Sequence, residues 1–255
     1  MKLIHKVEDC AVYNKGNNGN DSTSTYLLKI PSSAELLRTI KDAGTIRHVK
    51  KSTRDTIKFK ATRVESLKQF IEKMHDINDK DNKNMDGLIY TLVLKLLADV
   101  GTLLQYAMSE YGRAIPFFSL EDIIVIENEN ETTKTTELEP TFDFVFINGE
   151  KMLQTSHETN VLRVDVPLQV NKQTSFLPLE LAESELKHLP INVTTTTSWL
   201  YSLSSLCIYA LLNYKFKNGE DDIERIGRPF LHTSLYFCLK RCMKTNPEKR
   251  VLLYV

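Results

Sequence analysis

An excess of charge of either sign is the first thing this sequence lacks. Lys plus Arg and Asp plus Glu number 33 each, so no net field draws the chain to nucleic acid or to an anionic membrane, and only a local patch could do so. Cysteine is scarce. Cys10, Cys207, Cys238 and Cys242 form no Cys-x-x-Cys pair, and Cys238 and Cys242, on a helical stretch beside no His, read as structural thiols of a reducing compartment. No apolar run reaches the roughly 18 residues a membrane span needs. The opening MKLIHKVEDC lacks the apolar core of a signal peptide, which makes cytoplasm or nucleus the expectation. The histidines His5, His48, His75, His157, His188 and His232 fall in no metal spacing, and there is no Gly-x-Ser-x-Gly nucleophile.

What is present is ordinary for a soluble globular chain: 255 residues, 42% hydrophobic and 26% charged, enough for one two-lobed domain or two small ones. Residues 97–126 organise the rest. Leu97, Val100, Leu103, Leu104 and Ala107, spaced by three and four, predict an amphipathic helix over 88–107, and Gly112 ends it. An apolar run with Pro116 follows, then Leu120-Glu121-Asp122, then Ile123 to Ile126 as a short buried strand. Upstream, residues 1–12 and 24–30 read as two strands joined by the polar hairpin loop NKGNNGNDST. Ser33 is an N-cap for a helix over 34–41, residues 56–61 alternate as a half-buried strand, and Glu65 starts the next helix.

Residues 76–87 are polar and read as a disordered surface insertion without calcium-loop spacing, and 127–143 as an acidic, Thr-rich loop. Phe144 to Ile147 form a second short strand, residues 198–212 a helix apolar nearly all round, and 235–243 a helix with spacing three and four.

The order helix, loop, short strand resembles the protein-kinase catalytic loop, whose pattern His-Arg-Asp-Leu-x-x-x-x-Asn precedes an apolar strand. With Asp122 at the metal-binding Asn, Ile115, Pro116 and Phe117 stand where His, Arg and the catalytic Asp would be, so the register has no base. Tyr26 to Ile30 resembles the strand ending in Val-Ala-Ile-Lys, which would make Lys29 the phosphate-pairing lysine; an exposed strand-end lysine has the same look. Glu35, the candidate partner glutamate, follows Lys29 by only six residues, and Gly16 and Gly19 do not fit Gly-x-Gly-x-x-Gly.

Asn148-Gly149-Glu150 stands where the family has Asp-Phe-Gly, offering magnesium a neutral oxygen without charge; the same residues read as a hairpin turn. Glu180 resembles the Glu of Ala-Pro-Glu and Arg250 the Arg of Asp-Pro-x-x-Arg, a pair that holds the large lobe together. Trp199 or Ser198 replaces the aspartate that braces the catalytic loop.

The resemblance implies an α+β, two-lobed fold, with a β-rich small lobe over 1–63 and a mainly helical lobe over 64–255. It implies a pseudokinase, with no catalytic residue and no metal ligand set, acting as a scaffold or adaptor for protein partners in a larger complex. A second reading holds ATP with Lys29, Asp122 and Asn148 as a switch without turnover, and a third is an unrelated α+β interaction protein. Phe117 and Phe118 discriminate, since packed into the cleft they fill it and exposed they form a docking surface.

Overall fold

A computed structural model describes residues 1–16, 23–78, 85–128, 141–155, 161–163, 174–186, 193–217 and 221–252. Much of the hairpin loop, the polar insertion and the acidic loop expected from the sequence lies outside these residues.

The small lobe is built on strand alternation. Strands β1 (Lys2–Val7), β2 (Cys10–Gly16), β3 (Ser24–Lys29), β4 (Val49–Ser52) and β5 (Thr56–Ala61) form one antiparallel sheet in the order β1-β2-β3-β5-β4. In β5 the residues Ile57, Phe59 and Ala61 are buried while Thr56, Lys58 and Lys60 face out, the period of two that a one-sided sheet requires. The buried face, with Val12, Leu28 and Phe59, closes one core with Leu36, Leu37 and Ile40 of helix α1 (Ala34–Asp42). Ser33 caps that helix, its Oγ accepting from the Leu36 amide at 3.1 Å.

The expected single strand over 1–12 is two strands joined at Glu8 and Asp9. Glu8 sits at φ 49°, a left-handed conformation with no Gly or Asn to announce it.

The connection to the large lobe differs by two residues from expectation. Glu65 and Ser66 belong to a strand, β6 (Arg63–Ser66), and helix α2 (Leu67–Asn78) starts after it. Strand β6 pairs with β9 (Ile123–Asn128), which pairs with β10 (Thr141–Phe146), in a second, three-stranded sheet. Helix α3 (Met85–Tyr111) runs behind β10, with Val100, Leu103, Leu104 and Ala107 all buried. Gly112, at φ +57°, ends it. By length and composition α3 could cross a membrane, yet half of its apolar window is buried inside the fold.

Short pairs stitch the remainder: β7 (Arg113–Ala114) with β11 (Leu153–Gln154), β8 (Phe118–Ser119) with β13 (Ser175–Phe176), and β12 (Val161–Arg163) with β14 (Val193–Thr195). Helices α4 (Leu179–Leu186), α5 (Ser198–Leu212), α6 (Ile223–Ile226) and α7 (Ser234–Cys242) complete the helical lobe. Helix α5 is buried on all sides along most of its length, as its apolar circumference dictates. Its Ser202 hydroxyl accepts from the Phe118 amide at 2.7 Å and donates to the Phe176 carbonyl, pinning β8 and β13 to the core. All four cysteines are buried free thiols, and burial pushes the Cys10 thiol up to about 12.

Candidate functional site

The loop between α3 and β9 lies under the sheet of the small lobe, and a buried polar cluster forms at its end. A single helical turn, Leu120–Asp122, directs the Asp122 side chain inward. The Asp122 carboxylate accepts from the Ser119 amide at 2.7 Å, from Asn148 Nδ2 at 2.8 Å and from Lys151 Nζ at 2.6 Å. Lys151 also donates to Ser119 Oγ at 3.0 Å, Ser119 Oγ lies 2.8 Å from Ser175 Oγ, and the ammonium stands 4.2 Å from the Phe117 ring centre. Asp122 is 1% exposed and Lys151 7%. A carboxylate that deep is tolerable only with this complement of donors, and a lone ammonium beside it would be equally costly.

The cluster brings two of the sequence candidates together, Asp122 and Asn148, and leaves the third elsewhere. Lys29 is exposed, on the outward face of the sheet, while its neighbours Leu28 and Ile30 are fully buried. One residue of offset along a strand decides this, because alternate side chains leave opposite faces. Glu35 faces Arg113 at 3.8 Å and not Lys29. Asn148-Gly149 is not a hairpin turn: β10 pairs back onto β9, and a single helical turn, Gly149–Lys151, carries the chain onward. That turn aims Lys151 at Asp122.

The cleft side of the cluster is closed. Ile115, Phe117 and Phe118 are fully buried, and Phe118 packs edge-on against Phe146 with ring centres 5.7 Å apart. His5 Nε2 of β1 lies 2.7 Å from the Glu121 carbonyl, so the edge of the sheet rests on the loop. Gly149 sits against the start of α1, where a Cβ would lie 2.6 Å from Ser32 Oγ and 2.8 Å from Ser33 Cβ. Ser32 Oγ in turn donates to Asp9 at 2.9 Å. Burial, then the charges of Glu8 and Asp9, push the Glu150 carboxyl up, which marks three carboxylates crowded at this edge.

These residues do not fit a magnesium-bound nucleotide. The Asp122 carboxylate is already matched by the Lys151 ammonium, and a polyphosphate at the edge would meet Glu8, Asp9 and Glu150. An opening of about 450 Å³ does lie along Lys2, Leu3 and Ile4 of β1, Arg63, Val64 and Glu65 of β6, and Gln69, Glu72 and Lys73 of α2. Lys29, Asp122 and Asn148 are not among its lining residues.

Farther down, Glu180 and Arg250 form a two-point pair, Nη1 to Oε1 at 2.7 Å and Nη2 to Oε2 at 2.8 Å. Ser198 Oγ donates to Glu180 Oε1 at 2.7 Å, and the guanidinium stands 5.0 Å from the Tyr201 ring centre. Burial alone would raise the Glu180 carboxyl, but the Arg250 hydrogen bonds outweigh it and hold the group below its ordinary value. Lys151 and Ser119 are the site residues that sequence reasoning missed. Ser119-Leu120-Glu121-Asp122 carries a capping-box signal that could have found the serine; Lys151 has none.

No family model and no curated protein sequence matches the chain. Among solved structures, it is similar to the kinase domain of Mycobacterium tuberculosis PknI. A cysteine-to-alanine mutant of that domain aligns at 13% identity with a TM-score of 0.48, covering 98% of this chain and 88% of the other. The unsubstituted domain aligns at 12% identity with a TM-score of 0.47, covering 98% and 89%. At such identity the likeness is one of chain path and says nothing of activity. The chain's own layout is two-lobed, α+β and protein-kinase-like: a five-stranded sheet with α1 after its third strand, above a helical lobe whose loop and paired strands lie beneath it.

Proposed function

We propose that this chain is a kinase-like protein without phosphoryl-transfer activity that serves as an interaction scaffold or adaptor for protein partners. The observation that carries the reading is the Lys151 ammonium on Asp122, 2.6 Å away and buried with it. A tethered cation there takes the carboxylate that a metal would need, and phosphoryl transfer without metal, base and phosphate lysine loses several factors each worth orders of magnitude. Phe117 at the base position supplies no proton acceptor. The close packing of Ile115, Phe117 and Phe118 adds to this, since a surface held in one shape presents a fixed interface at low entropic cost.

A nucleotide switch with ATP on Lys29, Asp122 and Asn148 is disfavoured by the outward Lys29 and by the neutralised Asp122. The test is incubation with γ-labelled ATP, magnesium or manganese, and a generic protein substrate. No label transfer above that of an Asp122→Ala variant is expected; transfer that this substitution abolishes would overturn the reading.

A further inference from the structure

The outward face of the five-stranded sheet carries a charge that the neutral total conceals. Cross-strand partners share a face, and the pairing puts Lys51, Lys58, Leu27 and Tyr13 in one row and Lys29 with Lys6 in the next, across Ala11. Lys60 shares the face in a third row beside Thr25. No carboxylate stands in these rows. Lys51 lies directly opposite Lys58, and like charges so placed destabilise a sheet. Among the described residues no carboxylate pairs with Lys6, Lys29, Lys51 or Lys58, whereas Glu65, Asp99, Asp122, Asp143 and Glu180 each have a cation within reach. These five carboxylates are thus spent away from the face.

We propose that this face binds the phosphate backbone of single-stranded nucleic acid. Strands spaced ~4.8 Å apart and alternate residues ~6.8 Å apart spread the ammonium groups over a surface roughly 20 Å wide, open enough for several nucleotides. Every cation in the rows is lysine, a point charge suited to phosphate, where carboxylate recognition favours the arginine fork. The inner strands spend their backbone groups in the ladder, so an acidic peptide cannot add there as a further strand. Tyr13, half-buried between Leu3 and Leu27, offers a ring on which a base stacks.

The test is fluorescence anisotropy of a labelled twenty-nucleotide oligothymidylate with the full chain, from 50 mM salt upward. Binding is expected, with log K falling against log salt at a slope of about −3, the value for four to five phosphate contacts on a single strand. The double variant Lys29→Glu, Lys58→Glu is expected to bind at least tenfold more weakly and with a slope shallower by about 1.4. Lys58→Glu alone replaces a repulsive cross-strand pair with an attractive one, so its thermal midpoint is expected to rise by about 1–3 °C, which separates lost binding from lost folding. Absence of binding at 50 mM salt, binding unchanged in the double variant, equal or tighter binding of a twenty-base-pair duplex, or binding of polyglutamate in place of the oligonucleotide would each overturn the proposal.

Discussion

At the scale of single residues, Lys151 and Asp122 decide the most. Each is buried, and each is acceptable there only because of the other. Removing the ammonium leaves an uncompensated carboxylate in the core, so Lys151→Ala is expected to lower stability by about 3–5 kcal/mol in urea unfolding. Replacing both partners with apolar residues, Lys151→Met with Asp122→Leu, is expected to cost clearly less than Lys151→Ala alone, because it leaves no unpaired charge. A Lys151→Ala change within experimental error of zero would mean the pair is not buried in solution.

Glu180 is the pH-sensitive counterpart. Its carboxyl lies below the ordinary value of 4.5 in the fold, so the stability it contributes is complete above that value and drains away as pH falls through the lower, folded value. The stability gap between the wild type and Glu180→Gln is therefore expected to be constant from pH 7 to about 5 and to narrow in more acid solution. A gap that widens on acidification would contradict the assigned direction.

At the scale of elements, the sequence was legible wherever a period or a cap ran long enough. Helix α5 follows from its apolar circumference, α1 from Ser33, β9 from four consecutive apolar residues, and the end of α3 from Gly112. What was not legible were turns without turn residues and side-chain directions. Glu8 takes a left-handed conformation that no Gly or Asn announces, and Asp9 alone is a weak turn signal, so the β1–β2 hairpin was not read. Leu28 and Lys29 differ by one position on a strand, and only the pairing register tells which faces the core.

Lys151 approaches Asp122 across 29 residues, a distance over which no local pattern operates. The Gly149–Lys151 turn packs against the start of α1. A methyl group at Gly149 would meet Ser32 Oγ at 2.6 Å, so Gly149→Ala is expected to cost about 1–3 kcal/mol and to loosen the start of α1. Thermal unfolding with hydrogen exchange over residues 30–40 reads both effects; unaltered protection there would argue against this packing.

At the scale of the whole molecule, the two lobes are tied at several places. Arg47, after α1, reaches Asp143 of β10 at 3.2 Å, Tyr111 at the end of α3 donates to Asp42 of α1 at 3.2 Å, and His5 meets the Glu121 carbonyl on the opposite side. Asp143 is held up by burial, and Arg47 and Lys95 oppose that shift. The Arg47 side chain and the Tyr111 contact are solvent-exposed, so each tie is worth little alone. The lobe architecture was readable from the order of motifs. The seating of the sheet on the loop was not, because it depends on contacts between residues about a hundred positions apart, such as His5 with Glu121.

We propose that Asp122 and its surroundings hold Lys151 where a metal-bound nucleotide would need the carboxylate. The most direct test is the thermal unfolding midpoint of the full chain with and without millimolar ATP and magnesium, since a ligand that binds only the native state must raise it. No change in the midpoint is expected. A clear rise that depends on both magnesium and Asp122 would contradict it.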